Sequence, residues 1–146
     1  MTGSGNRHAI LTDVQKVLNG EEERVVDIRP HEKGERFEEL PMDKFAEHTR
    51  AFVKVEDGCN RRCAYCVIPR ARGPVRSRDE ASVLEELRRL ADAGYKEVVL
   101  TAISLPSYGT DSGTSLVELI EKAAEVPGIE RIRLGSLDPD MLHDDD

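Results

Sequence analysis

The sequence predicts an α/β protein made of the opening βα units of a partial TIM-type (β/α) barrel, truncated before closure. Three observations carry this reading. Strand-like apolar segments alternate with helical repeats after residue 48. At 146 residues the chain falls well short of the roughly 250 that eight βα units need. All three cysteines lie in one loop directly behind the first of those strands.

Taken in order, Ile10, Leu11, Val14, Val17 and Leu18 recur at helical spacing, and Asn19-Gly20 supplies a stop. From Glu21 to His48 no period is sustained, Pro30 and Pro41 interrupt, and one brief strand is predicted at Val25 to Ile28. Ala51 to Val55 reads as a strand. Asp79 or nearby Ser77 can cap a helix whose apolar positions are Val83, Leu87 and Leu90, which Glu85 and Arg89 support four residues apart and which stops at Gly94. Val98 to Leu100 is a compact strand. Ser115-x-x-Glu118 then marks a helix start in which hydroxyl and carboxylate satisfy reciprocal backbone amides. Leu116, Leu119, Ile120 and Ala123 form its buried side, Pro127-Gly128 end it, and Ile132 to Leu134 give a last strand. This order favours parallel strands covered by helices. The acidic tail Asp138 to Asp146 brings no helix to cover that strand, so the sequence predicts a fragment whose open sheet edge is a site for self-association, with oligomeric state left open.

Composition narrows the class. Three cysteines, an odd number held within eight positions, argue against a secreted disulfide scaffold and for a reduced, cytoplasmic setting. No 18-residue apolar run and no basic, apolar leader occurs, so neither membrane insertion nor export is expected. The net charge of -8 hides an uneven distribution. Glu21 to Glu47 carries ten acidic residues against five basic ones, whereas Cys59 to Arg78 carries Arg61, Arg62, Arg70, Arg72, Arg76 and Arg78 and no acid. Such a local patch can steer a polyanion; it can equally be a solvated arginine-rich loop.

Cys59-x3-Cys63-x2-Cys66 offers three soft thiolate ligands, suited to an iron-sulfur cluster or to zinc. Three cysteines can hold three irons of a cubane and leave the fourth open to a cofactor or substrate. Structural zinc normally takes four ligands, and His48, eleven residues before Cys59, is the nearby candidate for the fourth. Inert core cysteines would have to crowd together in a polar, glycine-containing loop.

Cys59-x3-Cys63-x-Tyr65-Cys66 resembles the radical S-adenosylmethionine signature. More narrowly, Asp57-Gly-Cys-Asn-Arg-Arg-Cys-Ala-Tyr-Cys-Val-Ile-Pro-Arg-Ala-Arg-Gly-Pro-Val-Arg-Ser-Arg78 resembles the methylthiotransferases. His48-Thr-Arg-Ala-Phe-Val-Lys-Val and Arg131-Ile-Arg-Leu-Gly-Ser-Leu-Asp-Pro139 are similar to the branch acting on threonylcarbamoyladenosine in tRNA. The resemblance implies a partial barrel with a [4Fe-4S] cluster at the C-terminal end of the first strand. Its open iron would bind S-adenosyl-L-methionine, whose reductive cleavage gives a 5'-deoxyadenosyl radical that takes hydrogen from adenosine C2 before methylthiolation. Partners implied are tRNA, for the full-length parent, and a reductant supplying electrons. The cofactors carry the chemistry, and the protein supplies binding and orientation.

The resemblance also assigns residues. Cys59, Cys63 and Cys66 are the cluster ligands. Tyr65 stands where the family's backbone helps hold adenine, or its ring packs beneath the loop. Asn60 bonds a cluster sulfide or caps the turn. Arg70, Arg72, Arg76 and Arg78 contact RNA phosphate or the cofactor carboxylate, which a planar guanidinium suits. Where the family usually reads Thr-Gly-x-Asn-x-Gly-Ser-Tyr-Gly, this chain has Thr101-Ala-Ile-Ser-Leu-Pro-Ser-Tyr-Gly109. Ala102, Ser104 and Pro106 thus alter a loop expected near the cofactor, although Ser104 can still donate one hydrogen bond. The expected organisation is a remnant helix of the N-terminal methylthiotransferase domain at 1–20, an acidic connector at 21–48 and the N-terminal part of the radical S-adenosylmethionine domain at 49–146. A protein-aspartate methylthiotransferase and a nonenzymatic iron-sulfur or zinc module that binds RNA are the alternatives.

Overall fold

The computed structural model describes residues 1–32, 34–40 and 49–139. In chain order its elements are α1 (Ile10–Leu18), β1 (Ala51–Lys54), β2 (Glu56–Asp57), α2 (Ile68–Arg72), β3 (Arg76–Ser77), α3 (Glu80–Asp92), β4 (Glu97–Thr101), α4 (Leu116–Ala124) and β5 (Arg131–Leu134). Short 3-10 turns cover Arg7–Ala9 and Leu105–Ser107.

The predicted parallel arrangement is present. β4 is central, with β1 beside it from Ala51↔Val98 to Lys54↔Thr101 and β5 on its other side from Glu97↔Arg131 to Leu100↔Leu134. Strand alternation explains which side is dry: Ala51, Val53, Val98 and Leu100 are fully buried, and Leu87 and Leu90 of α3 and Leu119 and Ala123 of α4 join them in one apolar cluster. Both helices begin on a side-chain cap. The Asp79 carboxylate accepts the Ser82 amide, and Ser115 and Glu118 form the reciprocal box. Because all three strands run parallel, β1 and β4 deliver their following loops to one end of the sheet, which is where sheets of this kind bind ligands.

Three departures from expectation are informative. Val25 to Ile28 is not a strand: a single parallel bridge joins Thr2 to Asp27, and Val26 and Ile28 stay exposed. α1 has the expected span, yet it buries Asp13 while Leu11, Val14 and Leu18 are exposed. Helix periodicity reports which side is apolar, not whether anything covers it. The third departure is structure that the sequence did not announce: β2 and β3 pair antiparallel, Glu56 with Ser77 and Asp57 with Arg76, and α2 stands between them.

Candidate functional site

The β2–β3 ribbon closes the base of the cysteine loop, and glycine makes that closure possible. Gly58 has φ +89°, and a Cβ there would lie 1.9 Å from the Pro74 carbonyl oxygen, so the two chain segments approach as only glycine allows. Above it the Cys59 amide donates to the Gly73 carbonyl at 3.1 Å, and the Val75 amide donates to Asn60 Oδ1 at 3.1 Å. Asn60 therefore does what one of its two expected roles requires: it caps the turn.

Asp57 organises this base. Its buried carboxylate accepts from Lys54 Nζ at 2.6 Å and from the Gly58 amide at 2.9 Å, and faces Arg72 at 3.3 Å and Arg7 and Arg76 at 3.8 Å. Burial alone would push this carboxyl up; the Lys54 hydrogen bond, the Lys54 and Arg72 charges and the Gly58 amide outweigh it and hold Asp57 below its ordinary range. A residue just before a glycine, followed by six arginines and no further acid, was a signal for this role in hindsight.

The arginines divide accordingly. Arg76 is buried, donates to the Arg72 and Pro74 carbonyls and faces Glu35, so its guanidinium braces the loop from inside. Arg78 is also buried, pairing with Glu86 and donating to Ser82 Oγ. Arg61 pairs with Asp138. Arg62 and Arg70 remain exposed. Together with Cys63, Tyr65 and Cys66 they line a surface cavity of about 650 Å³.

Cys59, Cys63 and Cys66 are all free thiols, Cys63 exposed and the other two partly so. Within the turn the Cys66 amide donates to the Cys63 carbonyl at 3.0 Å. Tyr65 is 93% exposed, so its ring is not packed beneath the loop. Three unpaired thiols in one loop, two of them bounding an accessible turn, suit an iron-sulfur cluster by their softness and access. Among the described residues no three Cys, His, Asp or Glu side chains converge on one point as they stand. His48, the candidate fourth ligand under the zinc alternative, lies outside the described residues.

The loop after β4 leaves the same end of the sheet as the cysteine loop. Gly109, at φ +85°, passes so close to Thr114 that a Cβ would sit 2.0 Å from its carbonyl oxygen. Pro106 falls in the 3-10 turn, close to its start, where a missing amide is tolerated. The Ser104 and Ile103 amides both donate to Glu56 Oε2 at 3.0 Å. Burial pushes the Glu56 carboxyl up to about 7; the two amides and the Lys54 charge oppose that shift and Asp57 adds to it. Sequence parity could not have found Glu56. It lies in phase with Phe52 and Lys54, the outward positions of β1, and yet it is fully buried.

Comparisons with known proteins agree with this arrangement. Residues 53–146 match the model of the Radical SAM superfamily. The chain is 45% identical over 109 residues to the threonylcarbamoyladenosine tRNA methylthiotransferase MtaB of Chlamydia pneumoniae, covering 75% of this chain and 26% of that protein. It is 38% identical over 142 residues to the protein of the same name from Aquifex aeolicus, covering 94% and 33%. Against the tRNA-2-methylthio-N(6)-dimethylallyladenosine synthase of Pelotomaculum thermopropionicum it is 41% identical over 133 residues, covering 90% and 29%. The chain thus spans about a quarter to a third of the length of these relatives. No helix among the described residues is long and apolar enough to cross a membrane. With a cysteine triplet in the loop behind the first parallel strand, and a family match over residues 53–146 beside these relatives, the chain belongs to the radical SAM superfamily and is related to its tRNA methylthiotransferases.

Proposed function

We propose that this chain is the cofactor-binding part of a tRNA methylthiotransferase that acts at C2 of N6-threonylcarbamoyladenosine. The observation that supports the reading is an accessible loop after β1 that carries Cys59, Cys63 and Cys66 as free thiols, with the exposed Arg62 and Arg70 beside Cys63 and Cys66. In this reading the three thiolates hold a [4Fe-4S] cluster and leave one iron for S-adenosylmethionine. The bound pair supplies radical chemistry able to act on an adenine C–H bond that offers no acid or base handle.

The chain's own residues hold and shape. Asn60 and Gly58 fix the exit of the cysteine loop, and Asp57 anchors Lys54 and Arg72 across its base. Tyr65 and Ser104 would face the cofactor from opposite walls, with Arg76 supporting that site from within the loop. The exposure of Arg62 and Arg70 supports contact with RNA phosphate. The sheet β1-β4-β5 forms the opening strands of a partial barrel, 49–146 being the start of the radical SAM domain behind a connector at 21–48 and a helix at 1–20 from a preceding domain. The longer protein works in the cytoplasm with tRNA and a reductant.

Dimethylallyladenosine is the second substrate reading, favoured by relatives of that name at 41% and 46% identity. Anaerobic reconstitution with iron and sulfide, followed by electron paramagnetic resonance, should give a cluster signal that changes on adding S-adenosylmethionine, with reductive release of 5'-deoxyadenosine. A four-thiolate or zinc centre unaffected by the cofactor would overturn the proposal. Nucleoside mass spectrometry of tRNA from cells lacking the longer protein separates the substrates, by which 2-methylthio nucleoside disappears.

A further inference from the structure

Glu56 sits at the junction of the two loops that wall the proposed cofactor site. It is fully buried, its Oε2 receives both the Ile103 and the Ser104 amide, and its Oε1 has no hydrogen-bond partner among the described residues. Burying a carboxylate whose Oε1 goes unpaired costs stability; an apolar side chain of similar volume would remove that cost but leave the Ile103 and Ser104 amides without their acceptor. What it supplies in return is geometric. Glu56 is three residues from Cys59 on the strand that carries the cysteine loop, and Ile103 and Ser104 lie in the loop that leaves β4. Two successive amides directed at one oxygen set both the distance and the orientation of that second loop. No apolar contact does so, because dispersion is not directional.

We infer that Glu56 is a positioning residue, tying the Thr101–Gly109 loop to the base of the cysteine loop so that the two walls of the cofactor site keep one spacing. The inference rests on the functional reading above for the word cofactor, and on the hydrogen bonds alone for the tie. Pro106 fixes one φ in that loop, and the carboxylate receives the two amides shortly before it.

The tie is tested first on the metal-free chain. In a nitrogen-15 NMR titration the Ile103 and Ser104 amides should move together, with a midpoint well above the ordinary glutamate range. Asp57 and Lys54 are the charged groups acting on Glu56, the first raising its carboxyl and the second lowering it. In Glu56→Gln the same amides should not titrate there but remain protected, since the amide oxygen still accepts. In Glu56→Leu, exchange of these two amides should quicken about tenfold or more, while Val53 and Leu100 keep their rates. Independent titration of the two amides, or none, would overturn the tie even if Glu56→Leu fails to fold.

The positioning role is tested on the cluster-loaded chain. Glu56→Leu should weaken S-adenosylmethionine binding about tenfold with iron content unchanged, and Glu56→Gln should restore it. Wild-type affinity in a Glu56→Leu protein with fast-exchanging loop amides would overturn the positioning role. If the wild-type cluster does not respond to S-adenosylmethionine at all, the functional reading falls and the positioning role with it, while the NMR result still decides the tie.

Discussion

The sheet with its two helices and the cysteine loop are stabilised by opposite means. In the first, Val53, Leu87, Leu100 and Leu119 are fully buried and the strands run in continuous parallel register. In the second, Cys63 is exposed, Tyr65 is 93% exposed, and α2 has no buried residue. Its order comes from polar fastening at the base, through Asp57, Gly58, Asn60 and Arg76, and not from a core. The difference teaches that this polypeptide builds a rigid end of sheet and leaves the tip of the loop to whatever its thiolates hold.

The sharpest way to break that comparison is Cys63→Ser. Because the thiol is exposed and outside the apolar cluster, the metal-free chain should melt within a degree or two of wild type, in line with the roughly 0.5 kcal/mol typical of surface changes. On the proposed function, iron retention after reconstitution should fall sharply and 5'-deoxyadenosine release should drop by about 100-fold or more, since one of the three proposed ligands is gone. A melting loss as large as that of a core variant would mean that the loop is built into the core after all.

Leu87→Ala is the reciprocal change. Leu87 is fully buried on α3 among the strand residues, so truncation should cost about 2–5 kcal/mol in denaturant unfolding of the metal-free chain. The folded fraction should still bind iron as wild type does. Parallel loss of iron binding per folded molecule would show that the two regions are not separable.

Glu56 stands where the regions meet, and its effect depends on pH. Its carboxyl is raised from 4.5 to about 7 in the folded chain, mainly by burial. Between those values the native state holds a proton that the unfolded chain has released, so Glu56 favours folding fully below 4.5 and the contribution disappears as pH rises through 7. The linkage amounts to at most about 3 kcal/mol. Stability measured from pH 5 to 8 should therefore decline, and Glu56→Gln should flatten the decline. Asp57 and Glu97 shift the other way, and their effect belongs to the acid side, below the ordinary carboxylate range. A flat wild-type profile would rule out a buried, proton-holding Glu56.

What could be read from the sequence follows the same divide. α3, α4 and the three parallel strands were legible because period, caps and stops are local: Val83, Leu87 and Leu90 repeat on one face, and Ser115 and Glu118 announce a helix start. That the three cysteines share one loop was legible from spacing alone. The β2–β3 ribbon was not, since two-residue strands have no period and Glu56 meets Ser77 only through tertiary contact. Nor could a count of arginines tell which would face solvent. Arg76 and Arg78 are turned inward by Asp57, Glu35 and Glu86, partners up to 41 residues distant in the chain, whereas Arg62 and Arg70 stay outside.

The smallest predicted effect sharpens the contrast most finely. Ser115 Oγ accepts the Glu118 amide at 3.2 Å, and Glu118 Oε2 accepts the Ser115 amide at 3.1 Å, so the box serves the first turn of α4 and nothing beyond it. Ser115→Ala removes one acceptor and should cost about 1 kcal/mol of stability. Because α4 feeds Leu116, Leu119 and Ala123 into the same apolar cluster as α3, that loss should add to the Leu87→Ala loss within about 0.5 kcal/mol if the two sites act independently. Affinity for S-adenosylmethionine should stay at the wild-type value in Ser115→Ala. A weakened affinity would mean that the cap of α4 reaches the proposed cofactor wall through Gly109, which passes close to Thr114, the chain neighbour of Ser115.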